Sequence, residues 1–207
     1  SVFRLEPGNI SVVGATEWVS ESQVLDIARQ QSGKSLFLVS DGAVEKQIKA
    51  IPGVTSAKSK KQLPNSLEVT IKAQKPAAML KTSEDHMTAV DSKGRVLNSV
   101  SGVSVEGIPV IEGQNVDASL SRRPIKEALK ILSSLPESMR NSITKVTAAT
   151  QDSITTELNG GDRVIVWGDS SDLKLKKAVV DKIVNDPNVI GDKHNVDVSA
   201  PLRPIIK

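Results

Sequence analysis

His86 and His194 are the only histidines in the sequence, and it contains no cysteine. A zinc centre needs three or four convergent ligands, and a Ser-His-Asp relay needs an imidazole held between hydroxyl and carboxylate. Neither histidine has a second one at metal-ligand spacing, and no Asp/Glu cluster joins them. Each opens a short predicted strand, where an exposed imidazole is ordinary. The lack of cysteine excludes disulfides, thiolate nucleophiles and Cys-ligated zinc without fixing the compartment. Carboxylates are dispersed: Glu84 and Asp85 fall in a turn, Asp91 in a hairpin, Asp152 and Asp162 in loops. Asp169 and Asp172 flank a predicted helix start, where a carboxylate offsets free amides. Gly160-Gly161 has no strand-to-helix context and reads as a turn, not a phosphate cradle. No catalytic motif is present, and the sequence reads as a non-enzyme with no cofactor and no metal site.

Composition narrows the partners. Lys and Arg number 27 against 24 acidic residues, a net charge of only +3. Phosphate binding calls for a concentrated basic stripe; the nearest is Lys58, Lys60 and Lys61, which suits a solvated edge strand. With two Trp, two Phe and no Tyr, there are few aromatic faces for stacking bases. Nucleic acid is therefore not expected. A later helix carries Lys174, Lys176, Lys177 and Lys182, but Asp172, Asp181 and Asp186 break up its positive face. No run approaches the ~18–20 apolar residues that span a bilayer, and no signal peptide is visible. The chain reads either as an intact soluble protein or as a domain excised from its membrane anchor.

The elements that must carry any function form two groups. Residues 1–75 read as β-α-α-β-β. Residues 9–14 are a short strand, and Ser20 with Gln23 forms a capping box before Val24, Ile27 and Ala28, with Gly33 placed to end that helix. Ser40 caps a second helix whose Val44, Ile48 and Ile51 share a face, stopped by Pro52-Gly53. A polar strand over 54–62 turns at Pro64-Asn65 into Leu67, Val69, Ile71 and Ala73, alternating with polar residues. That period of two marks a strand with one buried face.

Residues 76–207 change character. Strands are predicted at 77–80, 87–90 and 95–97 around the turn Asp91-Ser92-Lys93-Gly94. A helix from about Ser121 follows, with Ile125, Ala128, Leu129 and Leu132 as its stripe. Strands at 143–148, 153–158 and 163–167 suggest an antiparallel run. A helix over 171–185 turns Leu175, Val179 and Ile183 inward, and a final strand covers 195–199 before Pro201 and Pro204. The fold class is α+β: a small β-α-α-β-β domain, then a larger, mostly antiparallel β-sheet domain with covering helices. A terminal strand at 195–199 suits a sheet edge, whose unpaired N–H and C=O groups accept a partner strand. Pattern alone is equally compatible with a paired interior strand.

Several motifs resemble the FtsQ/DivIB family of bacterial cell-division proteins, and the first unit resembles a POTRA domain. They are Val12-Val13-Gly14, Ser20, 51–57 (IPGVTSA), 63–67 (LPNSL), Lys75-Pro76-Ala77, 90–96 (VDSKGRV), 108–113 (IPVIEG) and 197–201 (DVSAP). The resemblance implies a non-enzymatic scaffold of the divisome that binds FtsB/DivIC-like and FtsL-like proteins and helps regulate a septal peptidoglycan synthase. It implies a single-pass protein of the cell membrane at the division septum, anchored by an N-terminal transmembrane helix absent from this chain, with this region extracytoplasmic. Its partner-binding residues, carried over, are Asn195, Val196, Asp197, Val198, Ser199, Ala200 and Pro201, flanked by Lys176, Lys177 and Val180. A second docking surface would comprise Val44, Ile48, Ile51, Val54 and Ala57. The alternative is a POTRA-bearing component of an outer-membrane assembly or secretion system, which would show repeated POTRA units; only one such unit is visible.

Overall fold

The alternation around Leu67, Val69 and Ile71 becomes the middle strand of a three-stranded sheet. The computed structural model describes residues 2–97, 105–113 and 115–207. It divides into two compact units, one of residues 2–75 with Leu97, the other of Pro76–Val96 with 105–207.

In the first unit β1 (Ile10–Val13) runs parallel to β3 (Ser66–Ala73), and β2 (Val54–Gln62) pairs antiparallel on its other side. Two helices, α1 (Glu21–Arg29) and α2 (Asp41–Lys49), contribute Val24, Ala28, Val44 and Ile48 to the core with Leu67, Val69 and Ile71. Ser40 caps α2 by accepting the Ala43 amide at 3.2 Å. The capping box expected at Ser20 does not form, because its hydroxyl meets that of Ser22 at 2.8 Å. Helix α1 also stops before Gly33: the amides of Gln31 and Ser32 bond three residues back, tightening the chain into turns.

The second unit is built on an eight-stranded mixed sheet. Its first strands are β4 (Ala78–Ser83), β5 (His86–Val90) and β6 (Val110–Glu112). Next come β7 (Ile143–Thr147), β8 (Ile154–Leu158) and β9 (Arg163–Gly168), then β10 (Asn195–Asp197) and β11 (Ile205–Ile206). They lie in the order β11-β10-β9-β8-β7-β6-β4-β5. The antiparallel run β7-β8-β9 is present, whereas β6 is parallel to both neighbours and β10 is parallel to β9. The strand expected at 95–97 reduces to a single bridge from Val96 to Val90. Asp91 closes that hairpin, accepting the amides of Lys93 and Arg95 at 3.0 and 2.8 Å and the Arg95 guanidinium at 2.7 Å.

Two longer helices complete the core. The helix expected from Ser121 is split into α3 (Val116–Ser121) and α4 (Arg123–Ser134), with Arg122 extended between them. Pro124 accounts for the break: its ring would clash with the carbonyl four residues back, so no continuous helix can pass through. Helix α4 buries Ile125, Ala128, Leu129, Ile131 and Leu132. After α5 (Glu137–Ser142) and the sheet strands, α6 (Leu173–Val184) buries Lys176, Val180 and Ile183; α7 (Pro187–Ile190) follows. The phase of α6 therefore differs from that expected. Leu175 points outward, 41% exposed, because Leu173, Val180 and Ile183 set the apolar stripe and the Lys176 stem falls on it.

A candidate partner-binding edge

The outer part of the large sheet is shaped by how β10 meets β9. Ile165 and Trp167 face inward from β9; Val196, opposite Ile165 on β10, and Val198 just beyond β10 join the same core. The indole N–H of Trp167 donates to the Thr156 hydroxyl at 2.9 Å, so this buried polar group is satisfied. The main chain then alternates. The Val164 amide donates to the His194 carbonyl at 2.8 Å and the Val198 amide to the Val166 carbonyl at 2.9 Å. Asn195 faces the other way, donating to the Lys207 carbonyl at 2.8 Å and accepting the Lys207 amide at 2.9 Å.

That second set of bonds corrects the expectation of an open edge at 195–199. β10 is an interior strand, with β11 antiparallel to it in the register Val196–Ile206 and Asp197–Ile205. The two prolines do not end regular structure; the chain turns through 198–204, where the Arg203 amide reaches the Ala200 carbonyl at 2.9 Å, and returns. The sheet ends on β11, which has only two residues.

Side chains of the anticipated site sort by this geometry. Val196, Val198 and Val180 are fully buried and belong to the core. Asn195, Ser199 and Ala200 are exposed, and Asp197 and Pro201 are half-buried. Asp197 turns its carboxylate onto the Ser199 amide at 2.9 Å and hydroxyl at 2.6 Å, shaping the end of β10. Lys176 is not a surface cation: it is 1% exposed, and its ammonium donates to the Asp169 carbonyl at 3.0 Å and carboxylate at 3.3 Å. A buried ammonium requires such partners. Ser171 donates to the Asp169 carboxylate through both hydroxyl and amide, which together with Lys176 outweighs desolvation and holds its pKa at about 2. Lys177 is tied by its ammonium to the Ser134 carbonyl at 2.9 Å.

What lies on the surface instead is Leu175, 41% exposed, and Leu202, 86% exposed. With Asp172, Ala200, Pro201 and Arg203 they line a shallow, mostly apolar groove of about 510 Å³ beside the β10–β11 turn. Sequence reasoning missed this groove and β11; the β-branched pair Ile205-Ile206 after Pro204 was the available signal.

The second anticipated surface is also corrected. Val44, Ile48, Ile51 and Val54 are buried in the first core, and half-buried Ala57 packs against it. The free side of β2 is engaged by α2 carboxylates: the Ser59 amide donates to Glu45 at 2.8 Å and its hydroxyl to Asp41 at 2.7 Å. Lys61 pairs with Asp41 at 3.5 Å. His86 and His194 are both exposed, and His194 Nδ1 lies 2.8 Å from the Asp162 carbonyl. Among the described residues no group of three or more His, Cys, Asp or Glu could hold a metal ion, and no helix is long and apolar enough to cross a membrane.

Comparison with known proteins adds two family matches. Residues 5–73 match the model described as POTRA domain, FtsQ-type, and residues 78–199 match Cell division protein FtsQ/DivIB, C-terminal. Similar curated proteins include the Cell division protein FtsQ of Corynebacterium glutamicum, 30% identical over 84% of this chain and 76% of that protein. The FtsQ proteins of Mycobacteroides abscessus and Mycobacterium leprae are 28% and 27% identical, over 95% and 96% of this chain. The chain spans 60% and 55% of those two relatives. Among solved structures, the major extracytoplasmic domain of DivIB from Geobacillus stearothermophilus is similar at a TM-score of 0.35 and 15% identity, over 57% of this chain and 92% of that one.

Proposed function

The chain belongs to the FtsQ/DivIB family of cell division proteins, and from that premise we propose that it is a non-enzymatic scaffold whose large sheet takes up an extended strand of a partner. The partners are division proteins of the FtsB/DivIC and FtsL type. Holding them next to a septal peptidoglycan synthase helps regulate its activity. The protein works outside the cytoplasm at the division septum, tethered to the cell membrane. A second matched region of the FtsQ/DivIB type, in place of repeated POTRA units, favours this reading over a secretion component.

One observation carries the proposal: β10 lies one strand in from the end of the large sheet, and the strand beyond it, β11, leaves Ile205 exposed and Ile206 half-buried. Strand addition draws its affinity from main-chain hydrogen bonds and its specificity from alternate side chains. Asn195 directs its N–H and C=O away from β9, and alternation directs those of Asp197 the same way. Proline at Val198 would break its bond to Val166 and test folding, not binding.

The test places N-methyl groups on the partner peptide instead. Methylation at alternate residues of one parity should abolish binding to this chain, because those amides face β10. The other parity should leave affinity nearly unchanged. Equal effects at both parities would refute a strand-addition mode.

A further inference from the structure

The main-chain positions that a partner strand would use on β10 are already taken by the chain itself. We infer that segment 200–207 is a built-in stand-in strand, which a partner displaces to pair with β10. This rests on the strand-addition reading above and adds its regulation: the free protein is self-blocked, and binding is an exchange of one strand for another.

Four observations carry the inference. β10 does not depend on the segment, since β9 holds it from the other side and Val196 and Val198 are fully buried. The segment is lightly held by contrast. It pairs through Ile205, Ile206 and Lys207, yet Ile205 is 53% exposed, Leu202 stands in solvent, and Ile206 is only half-buried. Pro204 falls at a position whose main chain faces away from β10, and with no N–H it leaves the outer side of β11 a poor template for a further strand. Finally, the FtsQ/DivIB family match stops at residue 199, just past β10, so the covering strand lies outside the matched region.

The exchange has a physical logic. A bare β10 edge would be a template for unintended strand pairing. The covering segment removes that hazard, yet a partner strand that packs its side chains better outcompetes this exposed one. A partner's apparent affinity is then reduced by the fraction of molecules whose edge is free. If the segment covers β10 about 90–99% of the time, removing it raises affinity about 10–100-fold.

The experiment uses two variants and the extracytoplasmic region of the organism's DivIC-type protein as probe, with binding read by calorimetry. One variant ends at Ala200. The other carries Val196→Cys and Ile206→Cys, a directly opposed pair in a chain that has no other cysteine. Oxidation locks the segment down, and reduction releases it in the same molecule. Both variants are made in a Trp18→Phe background, so that Trp167 fluorescence confirms that the second unit stays folded in each form. The expected result is tighter binding by the shortened chain and at least tenfold weaker binding by the oxidised form than by the reduced form. Equal binding by all forms would overturn the stand-in role while leaving strand addition intact. Unimpaired binding by the oxidised form with weaker binding by the shortened chain would place the partner on β11 and overturn it too. No binding by any form would overturn the strand-addition reading, and the inference with it.

Discussion

Thr156→Val is the sharpest probe of the core beneath the candidate edge. Thr156 and Trp167 are both fully buried, and the Trp167 indole N–H donates to the Thr156 hydroxyl at 2.9 Å. Valine has nearly the same shape as threonine, so the change opens no cavity, but it leaves the indole N–H buried without an acceptor. An orphaned buried donor costs about 1–3 kcal/mol. With a urea m-value of about 2 kcal/mol/M for a unit of this size, the unfolding midpoint should fall by about 0.5–1.5 M. The measurement is made in a Trp18→Phe background, where fluorescence reports only Trp167 and hence only the second unit. Replacing Trp167 by Phe removes the donor, so in that background Thr156→Val should be nearly neutral when followed by circular dichroism. A midpoint shift below about 0.2 M in the first experiment, or an equal loss in the second, would refute the assignment of this hydrogen bond.

Asp91→Ala should cost the second unit about 2–3 kcal/mol, because the Lys93 and Arg95 amides and the Arg95 guanidinium lose a shared, nearly buried acceptor; thermal melting measures it. Gly14→Ala should destabilise the first unit by at least about 2 kcal/mol, since Gly14 sits at φ +97° and an added Cβ would come 2.1 Å from the Ile71 carbonyl oxygen. Trp18, buried in that unit, reports the loss by fluorescence. Asp169 should contribute an acid-sensitive component to stability. Its pKa is lowered from 3.8 to about 2 when folded, so as pH falls the unfolded chain takes up this proton first. The contribution is present above pH 3.8 and is lost as pH falls toward 2. The side chain is 39% exposed, so solvent screening limits it to about 1 kcal/mol. Asp169→Asn should flatten urea-midpoint curves across that window, and an unchanged slope would count against the assignment.

Much of this was legible from local patterns. The period of two at Leu67, Val69 and Ile71 specified the central strand, and the Asp91 turn specified its hairpin, because both are determined by neighbours in sequence. Long-range features were not. The burial of Lys176 depends on Asp169 and Ser171 having been placed by the end of β9, and the parallel pairing of β10 to β9 depends on the intervening helices. The site residues illustrate a further lesson. The alternation that made 195–199 a strand also puts Val196 and Val198 on one side, and two valines choose the core. Only Asn195, Asp197 and Ser199 remained for the surface, so a docking list that included the valines conflicted with its own periodicity. Likewise Val44 and Ile48 share a helical face, and Ile51 follows just past the helix, because all three line a core, which disqualifies them as an exposed surface.

The two sheets guard their ends by different means, and the difference bears on which end can take a partner. On β2, the Ser59 amide is bonded to the Glu45 carboxylate, and Lys58 and Lys60 stand exposed nearby. An incoming strand would have to break a charge-assisted bond and tolerate adjacent ammonium groups. It would also leave the Glu45 carboxylate without that donor. The edge of β10 is covered instead by main-chain bonds to β11, which an incoming strand reproduces one for one. Replacing like with like leaves no group unpaired, so any extra residues of ladder are net gain. An edge closed by side chains resists every strand alike, whereas one closed by a lightly packed strand yields to a better-packed one. That asymmetry favours β10 over the outer side of β2 as the acceptor in the proposed exchange.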